Sequence, residues 1–199
     1  MLPILYSYRR CPYAMRARMA LTLADITVEI REISLREKPT HMLEISPKAT
    51  VPVLMLPDGK VIEESLEIMY WVLKEHALGA NVHAACRALI VENDTRFKKA
   101  LDDYKYPERH KNFTQLQCRA QGEVFLQKLE CLLEQNIYLF DAKPSLADIA
   151  IFPFVRQFAA VDNAWFEGAQ YPKLRAWLNY WINSDLFKSI MTKNPTFVG

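Results

Sequence analysis

The chain has 199 residues, a formal charge of +2, about half its residues apolar and a quarter charged. That composition excludes a disordered chain and argues against a nucleic-acid binder, because no Lys/Arg block is long enough to track phosphates. The four cysteines, 11, 86, 118 and 131, are too few for a disulfide scaffold and match no zinc spacing.

The N-terminal stretch "MLPILYSYRR" is apolar first and basic afterwards, the reverse of a secretory signal, and no apolar run approaches the ~18 residues of a membrane helix. The reading is a cytoplasmic protein with free thiols, no membrane partner and no nucleic-acid partner.

In chain order, "PILYSY" is a β-rich run ending at Tyr8. From Pro12 to Asp25, Met15, Met19, Leu21 and Leu23 with several alanines predict a helix. Residues 27–35 alternate loosely as a strand, and residues 40–47 predict a short helix. "VPVLMLPDGKVIEES" reads as strand, Pro-Asp-Gly turn and strand, a hairpin. From Ser65 the apolar residues 66, 68, 69, 72 and 73 form a helical stripe. The order βαβαββα, one parallel unit followed by an antiparallel hairpin, predicts an α/β layer domain over residues 1–76.

Beyond this the strand signals stop. Residues 77–83 read as a linker and residues 84–199 as an all-α domain. Its helices are expected near 84–104, 114–136, 145–161, 172–184 and 186–192, with Pro107, Pro144 and Pro172 at breaks. Ser145 and Asp148 form a capping box, and Pro153 is expected to kink the helix they open. Residues 102–112 make a polar and aromatic break with no assigned role.

One residue carries chemistry on its own. Pro12 suits the first helical position, which makes Cys11 the N-cap. A sulfur there faces free backbone N–H groups and the positive end of the helix, and both favour thiolate over thiol. A free cysteine titrates near ~8.5, and such sites bring it to roughly 3.5–7.5. Arg9, Arg10 and Arg16 add to the field if they point towards the sulfur. The fourth motif residue is Ala14 rather than cysteine, so a mixed disulfide on Cys11 needs an external thiol to resolve it. The competing reading is an inert structural cysteine.

The motif "CPYA" resembles that of glutaredoxins and Cys-type glutathione transferases. "PKATVPVLMLPDGKVIEESLEI" and the "KP" at 38–39 resemble the glutathione-binding segment of that superfamily, in its omega-like branch. The resemblance implies a thioredoxin-like N-terminal domain followed by a helical C-terminal domain that contributes the acceptor-substrate site. It also implies glutathione as co-substrate and no metal. Catalysis would rest on Cys11, and glutathione on Lys38, Val51, Pro52, Glu64 and Ser65. In those terms Val51 offers its backbone to the cysteinyl part, Pro52 is cis, and Glu64 takes the γ-glutamyl ammonium. Ser65 takes its carboxylate, as N-cap of the helix it opens, and Lys38 approaches the glycine carboxylate.

Tyr13, Phe97, Leu101, Tyr104 and Tyr106 are candidates for the acceptor site. The aromatic stripe 152–158, the Trp165–Phe166 pair and Cys86, Cys118 and Cys131 read as core packing. The expected activity is glutathione-dependent thiol transfer, with dehydroascorbate reduction or removal of glutathione from conjugated ketones following from the same chemistry. Two alternatives stand beside it. One is conjugation of glutathione to electrophiles, with Tyr6, Ser7 or Tyr8 as the helping hydroxyl; the other is a non-catalytic interaction protein on the same fold. The resemblance also implies a homodimer, built on the apolar surface of "LEIMYWVL" and the stretch from 84.

Overall fold

The computed structural model describes all residues except 75, 77, 79–81, 110–112 and 199. The chain divides into two compact units, Met1–Ala80 with Ser184–Gly199, and Asn81–Asn183.

The first unit holds strands β1 (Ile4–Ser7), β2 (Glu29–Glu32), β3 (Val53–Met55) and β4 (Val61–Glu63), with helices α1 (Pro12–Leu23), α2 (Thr40–Ile45) and α3 (Ser65–Leu73). The sheet order is β2-β1-β3-β4, with β1 parallel to β2 and antiparallel to β3, and β3 antiparallel to β4. This is the predicted βαβαββα order. β1 is buried along its whole length and lies inside the sheet, between β2 and β3. α1 is buried nearly all round and packs against α3. The linker expected at 77–83 lies for the most part outside the described residues.

β2 is shorter than the expected 27–35. It is an edge strand with charged Glu29 and Arg31, and only its four residues out of the expected run pair with β1. Its free edge is covered by the C-terminus: Thr196 bridges Glu32, and the Phe197 N–H donates to the Glu32 carbonyl at 2.7 Å. The Phe197 ring meets Tyr6 edge-on at 6.3 Å and lies under the Arg31 guanidinium at 4.5 Å. Helix α10 (Asp185–Ile190) packs on α1. The expected all-helical domain of 84–199 therefore loses its last sixteen residues to the first unit.

The second unit is helical among its described residues, with α4 (Ala84–Glu92), α5 (Lys98–Lys105), α6 (Gln115–Gln135), α7 (Leu146–Ala159), α8 (Asn163–Gly168) and α9 (Pro172–Asn183). A π-helical turn, Asn93–Phe97, joins α4 to α5, and a 3₁₀ turn, Pro107–Arg109, follows α5. α7 runs through Pro153.

The capping box at the start of α7 is present. Asp148, fully buried, accepts from the Ser145 N–H (2.8 Å), the Ser145 hydroxyl (2.6 Å), the Leu139 N–H (3.0 Å) and the Trp177 indole (2.8 Å). Burial pushes the Asp148 carboxyl up, against the pull of those donors. One carboxylate thus fixes the start of α7 and ties it to the preceding loop and to α9.

The core of this unit is aromatic. Phe97 stacks on Phe125 at 4.6 Å and lies 5.3 Å from Phe158, which lies 4.9 Å from Tyr104. Phe152, Phe154, Val155 and Phe158 are buried as expected, and so is Phe166. Cys86 and Cys118 are buried packing residues, but Cys131 is exposed on α6, a correction to its reading as core.

Candidate active site

Cys11 is the N-cap of α1, with extended backbone (φ −75°, ψ 122°) and Pro12 at the first helical position. Its N–H donates to the Tyr8 carbonyl at 3.0 Å, and its carbonyl accepts from the Met15 N–H at 2.9 Å, opening the helix. The turn from β1 into α1 is therefore closed by backbone bonds, which leaves the half-buried sulfur at the helix end, where the orphan N–H groups and the dipole lie. The Cys11 thiol is 3.9 Å from the Val51 carbonyl, a weak sulfur contact that joins two distant parts of the sequence. The Val51–Pro52 peptide bond is cis.

The β4–α3 junction supplies the next pair. Glu64 is the N-cap of α3, with φ 65° and ψ 127°, a backbone conformation that non-glycine residues seldom adopt. Such outliers cluster at functional sites, where the surrounding structure holds them. Its exposed carboxylate pairs with Lys48 at 2.9 Å. Ser65 is the first helical residue rather than the N-cap, a shift of one position from expectation. It is buried, and its hydroxyl oxygen accepts from Arg16 Nε at 2.9 Å. That leaves the hydroxyl proton to be donated elsewhere. Lys38 lies half-buried in the loop before α2.

The structure thus brings Cys11 to Val51 directly, and α1 to Ser65 through Arg16. It does not support most of the acceptor candidates. Phe97, Leu101 and Tyr104 are 1%, 0% and 2% exposed and are closed into the core of the helical unit, so they present no surface to a substrate. Their apolar periodicity is that of a core face. Tyr106 is half-buried, with Arg109 at 4.1 Å and Lys105 at 4.9 Å over its ring. Those contacts use part of the 102–112 break, whose residues 110–112 lie outside the described ones. Tyr13 is half-buried beside Arg16, 5.1 Å from its ring.

The hydroxyls considered for conjugation are largely committed. Tyr6 is fully buried; it accepts from Arg31 at 2.9 Å, and its hydroxyl is 2.6 Å from His41 Nδ1. Ser7 is fully buried and accepts from Arg18. Tyr8 packs against the cluster of Ile4, Tyr6, Ile33, Met42 and Val53.

Three charged residues escaped the sequence reading. Arg18 and Glu32 are buried beside the turn that carries Cys11, and Lys48 faces Glu64. Arg16 was weighed only for its field and is in fact the donor to Ser65. The available signal is position: Arg16 and Arg18 sit within one turn of an otherwise apolar helix, which leaves them little solvent to face.

Two family models match the chain. The glutathione S-transferase N-terminal domain covers residues 5–80, and the glutathione S-transferase C-terminal domain covers residues 115–179. The chain belongs to the glutathione S-transferase family. It is 26% identical over 182 residues to glutathione S-transferase omega-1 of Sus scrofa, covering 87% of this chain and 73% of the relative. It is 36% identical over 72 residues to glutaredoxin 2 of Escherichia coli K12, covering 35% of this chain and 32% of that protein. A glutathione transferase family member from Pseudomonas fluorescens pf-5, solved with two glutathione bound, shares the fold at a TM-score of 0.82 and 15% identity. That match covers 96% of this chain and 92% of the other. No helix among the described residues is long and apolar enough to cross a membrane, and those residues hold no His/Cys/Asp/Glu group fit for a metal ion.

Proposed function

We propose that this family member is an omega-like, glutathione-dependent thiol transferase with Cys11 as its single nucleophile. The observation that carries the reading is the placement of Cys11 as N-cap of α1, ahead of Pro12 and within contact distance of the Val51 carbonyl. Glutathione binds along the Val51–Pro52 segment by its backbone, as an added strand does. Its γ-glutamyl carboxylate takes the Ser65 hydroxyl and the N–H groups opening α3, and its ammonium takes Glu64. Lys38 serves the glycine carboxylate. Tyr13 and Tyr106 remain as acceptor-side residues.

The chemistry needs no metal. The Cys11 thiolate attacks the glutathione sulfur of a mixed disulfide. A sulfur–sulfur bond forms to Cys11 as the old one breaks, and the acceptor leaves as a thiolate that takes a proton. The thiolate of a second glutathione then attacks the glutathione sulfur held on Cys11, releasing oxidised glutathione and regenerating the Cys11 thiolate. In net terms the mixed disulfide and one free glutathione become one acceptor thiol and oxidised glutathione, so one free glutathione thiol is oxidised for each acceptor thiol released. Conjugation is disfavoured, because the Tyr6 and Ser7 hydroxyls are buried in other hydrogen bonds.

The working environment is the cytoplasm, where thiols stay reduced. The protein works as a homodimer through the outer faces of α3 and α4, where Trp71 and Val91 are exposed. Intact mass after treatment with oxidised glutathione tests the nucleophile. One glutathione adduct in the wild type and none in Cys11→Ser is expected, and an adduct that survives in Cys11→Ser moves the chemistry elsewhere.

A further inference from the structure

The turn that presents Cys11 is held from beneath by one buried arginine. Arg18, 3% exposed, donates Nη1 to Ser7 Oγ and, at 3.4 Å, to the Tyr8 carbonyl; Nη2 donates to the Arg9 carbonyl at 2.9 Å. Those are three consecutive residues of the turn, and the Tyr8 carbonyl is also the acceptor of the Cys11 N–H. The far side of the turn is held as well: the Arg9 N–H donates to Glu32 Oε1 at 2.7 Å. Arg18 Nε is buried and has no hydrogen-bond partner among the described residues.

A scaffold residue in this place need not be charged. Burial pushes Arg18 down to about 10, while Glu32 and Cys11 pull it back and Arg9 pushes it further down. Those are the charged groups that bear on it: Arg9 from the turn, Glu32 from β2 and Cys11 from the start of its own helix. Arg16 on the same helix is directed to Ser65. The cleft beside Arg18 is also lined by Asp25, the carboxylate just past the end of α1, and by the uncharged Ser189 and Ile190 of α10, which packs on α1. A buried charge kept at this cost points to a role that a neutral residue could not fill.

We propose that Arg18 is a positioning residue for the Cys11 reaction, fixing the Ser7–Arg9 turn with its guanidinium fork and serving as the permanent counter-charge of the Cys11 sulfur. Glu32 is the opposing partner. It holds Arg18 when Cys11 is a neutral thiol and competes for it when the sulfur ionises. The inference rests on Cys11 being the nucleophile, and it adds the source of the charge that keeps the sulfur ionised.

The test is the pH profile of Cys11 alkylation by iodoacetamide, read by intact mass in a Cys131→Ser background that removes the exposed thiol. Arg18→Met is expected to move the midpoint up by about one pH unit and to slow thiol transfer at neutral pH about tenfold. Arg18→Lys, which keeps the charge and gives up the fork, is expected to restore most of the midpoint. Glu32→Gln, which keeps the acceptor for the Arg9 N–H, is expected to move the midpoint down. A structural role of the fork alone would make Arg18→Lys, which loses the fork, behave like Arg18→Met. Coincident profiles for wild type, Arg18→Met and Glu32→Gln overturn the role of Arg18, and so does Arg18→Lys behaving like Arg18→Met. Should Arg18→Met not fold, Arg18→Gln, also uncharged, takes its place with the same expected rise. Alkylation needs no acceptor substrate, so the two readings fail separately. A wild type that forms no adduct with oxidised glutathione sinks the thiol-transferase reading, whereas coincident profiles in a chain that does form it sink only this one.

Discussion

Arg16 on α1 donates its Nε–H to the hydroxyl oxygen of Ser65, the first residue of α3, at 2.9 Å, and both side chains are buried. The bond joins the helix that begins at Cys11 to the helix whose N-terminus receives the γ-glutamyl group in the proposed complex. It orients the Ser65 hydroxyl by occupying its oxygen, so that the proton points away from α1.

Ser65→Ala is therefore expected to act twice. Removing a buried acceptor from a charged donor costs about 1.5–3 kcal/mol of stability, readable as a lower urea midpoint with unchanged slope. Retention on immobilised glutathione is expected to weaken as well, because the hydroxyl is lost from the proposed carboxylate site. A variant that unfolds earlier yet elutes with wild type assigns Ser65 to the scaffold alone.

Gly122 on α6 faces Phe158 so closely that a Cβ would lie 2.3 Å from the ring. Replacing a helical glycine with alanine ordinarily stabilises by about 1 kcal/mol. Here the ring is fully buried and packed against Phe97, Tyr104 and Trp165, so it has nowhere to move. Overpacking costs about 1–3 kcal/mol and outweighs the propensity gain. Gly122→Ala should lower the thermal midpoint, and a rise would mean that the aromatic core is looser than its geometry.

Tyr171 sets a pH dependence. Burial, with Glu123 next, pushes its phenol up to about 12, and its hydroxyl donates to Glu123 Oε2 at 3.3 Å. The unfolded chain holds this proton less tightly, with an ordinary phenol titrating near ~10. A folded-state value raised above the unfolded one gives a contribution that is fully present below pH ~10 and lost as the pH climbs towards 12. Denaturation curves should show stability falling across that window, and Tyr171→Phe should flatten the fall. Equal slopes in both proteins would place the alkaline loss in other groups, with Tyr138, also raised to about 12, the next to test.

Much of the first unit was legible because its signals are local. The strand after Pro3, the Pro-Asp-Gly turn and the stripe from Ser65 each depend on a few adjacent residues, and together they give the observed βαβαββα order. The Cys-Pro junction likewise placed Cys11 at a helix start, because proline at the first helical position is a local preference. Misreadings fell where the outcome depends on distant neighbours. Phe97, Leu101 and Tyr104 have the apolar character of a binding surface and of a core alike, and only packing against Phe125 and Phe158 decides for the core. α8 escaped because six residues are too few to show a helical period.

The amino-acid order thus settled the succession of elements, the lone cysteine at a helix end and the capping of α7 by Ser145 and Asp148, since all three follow from interactions spanning a few residues. Tertiary structure alone decided the rest. It laid residues 184–199 against α1 and β2 instead of the helical unit, and it buried Arg16 and Arg18 behind Cys11. It also set the Val51 carbonyl beside the sulfur. Periodicity says that a face must be buried but not against which partner, and that choice rests on the summed fit of surfaces far apart in the chain.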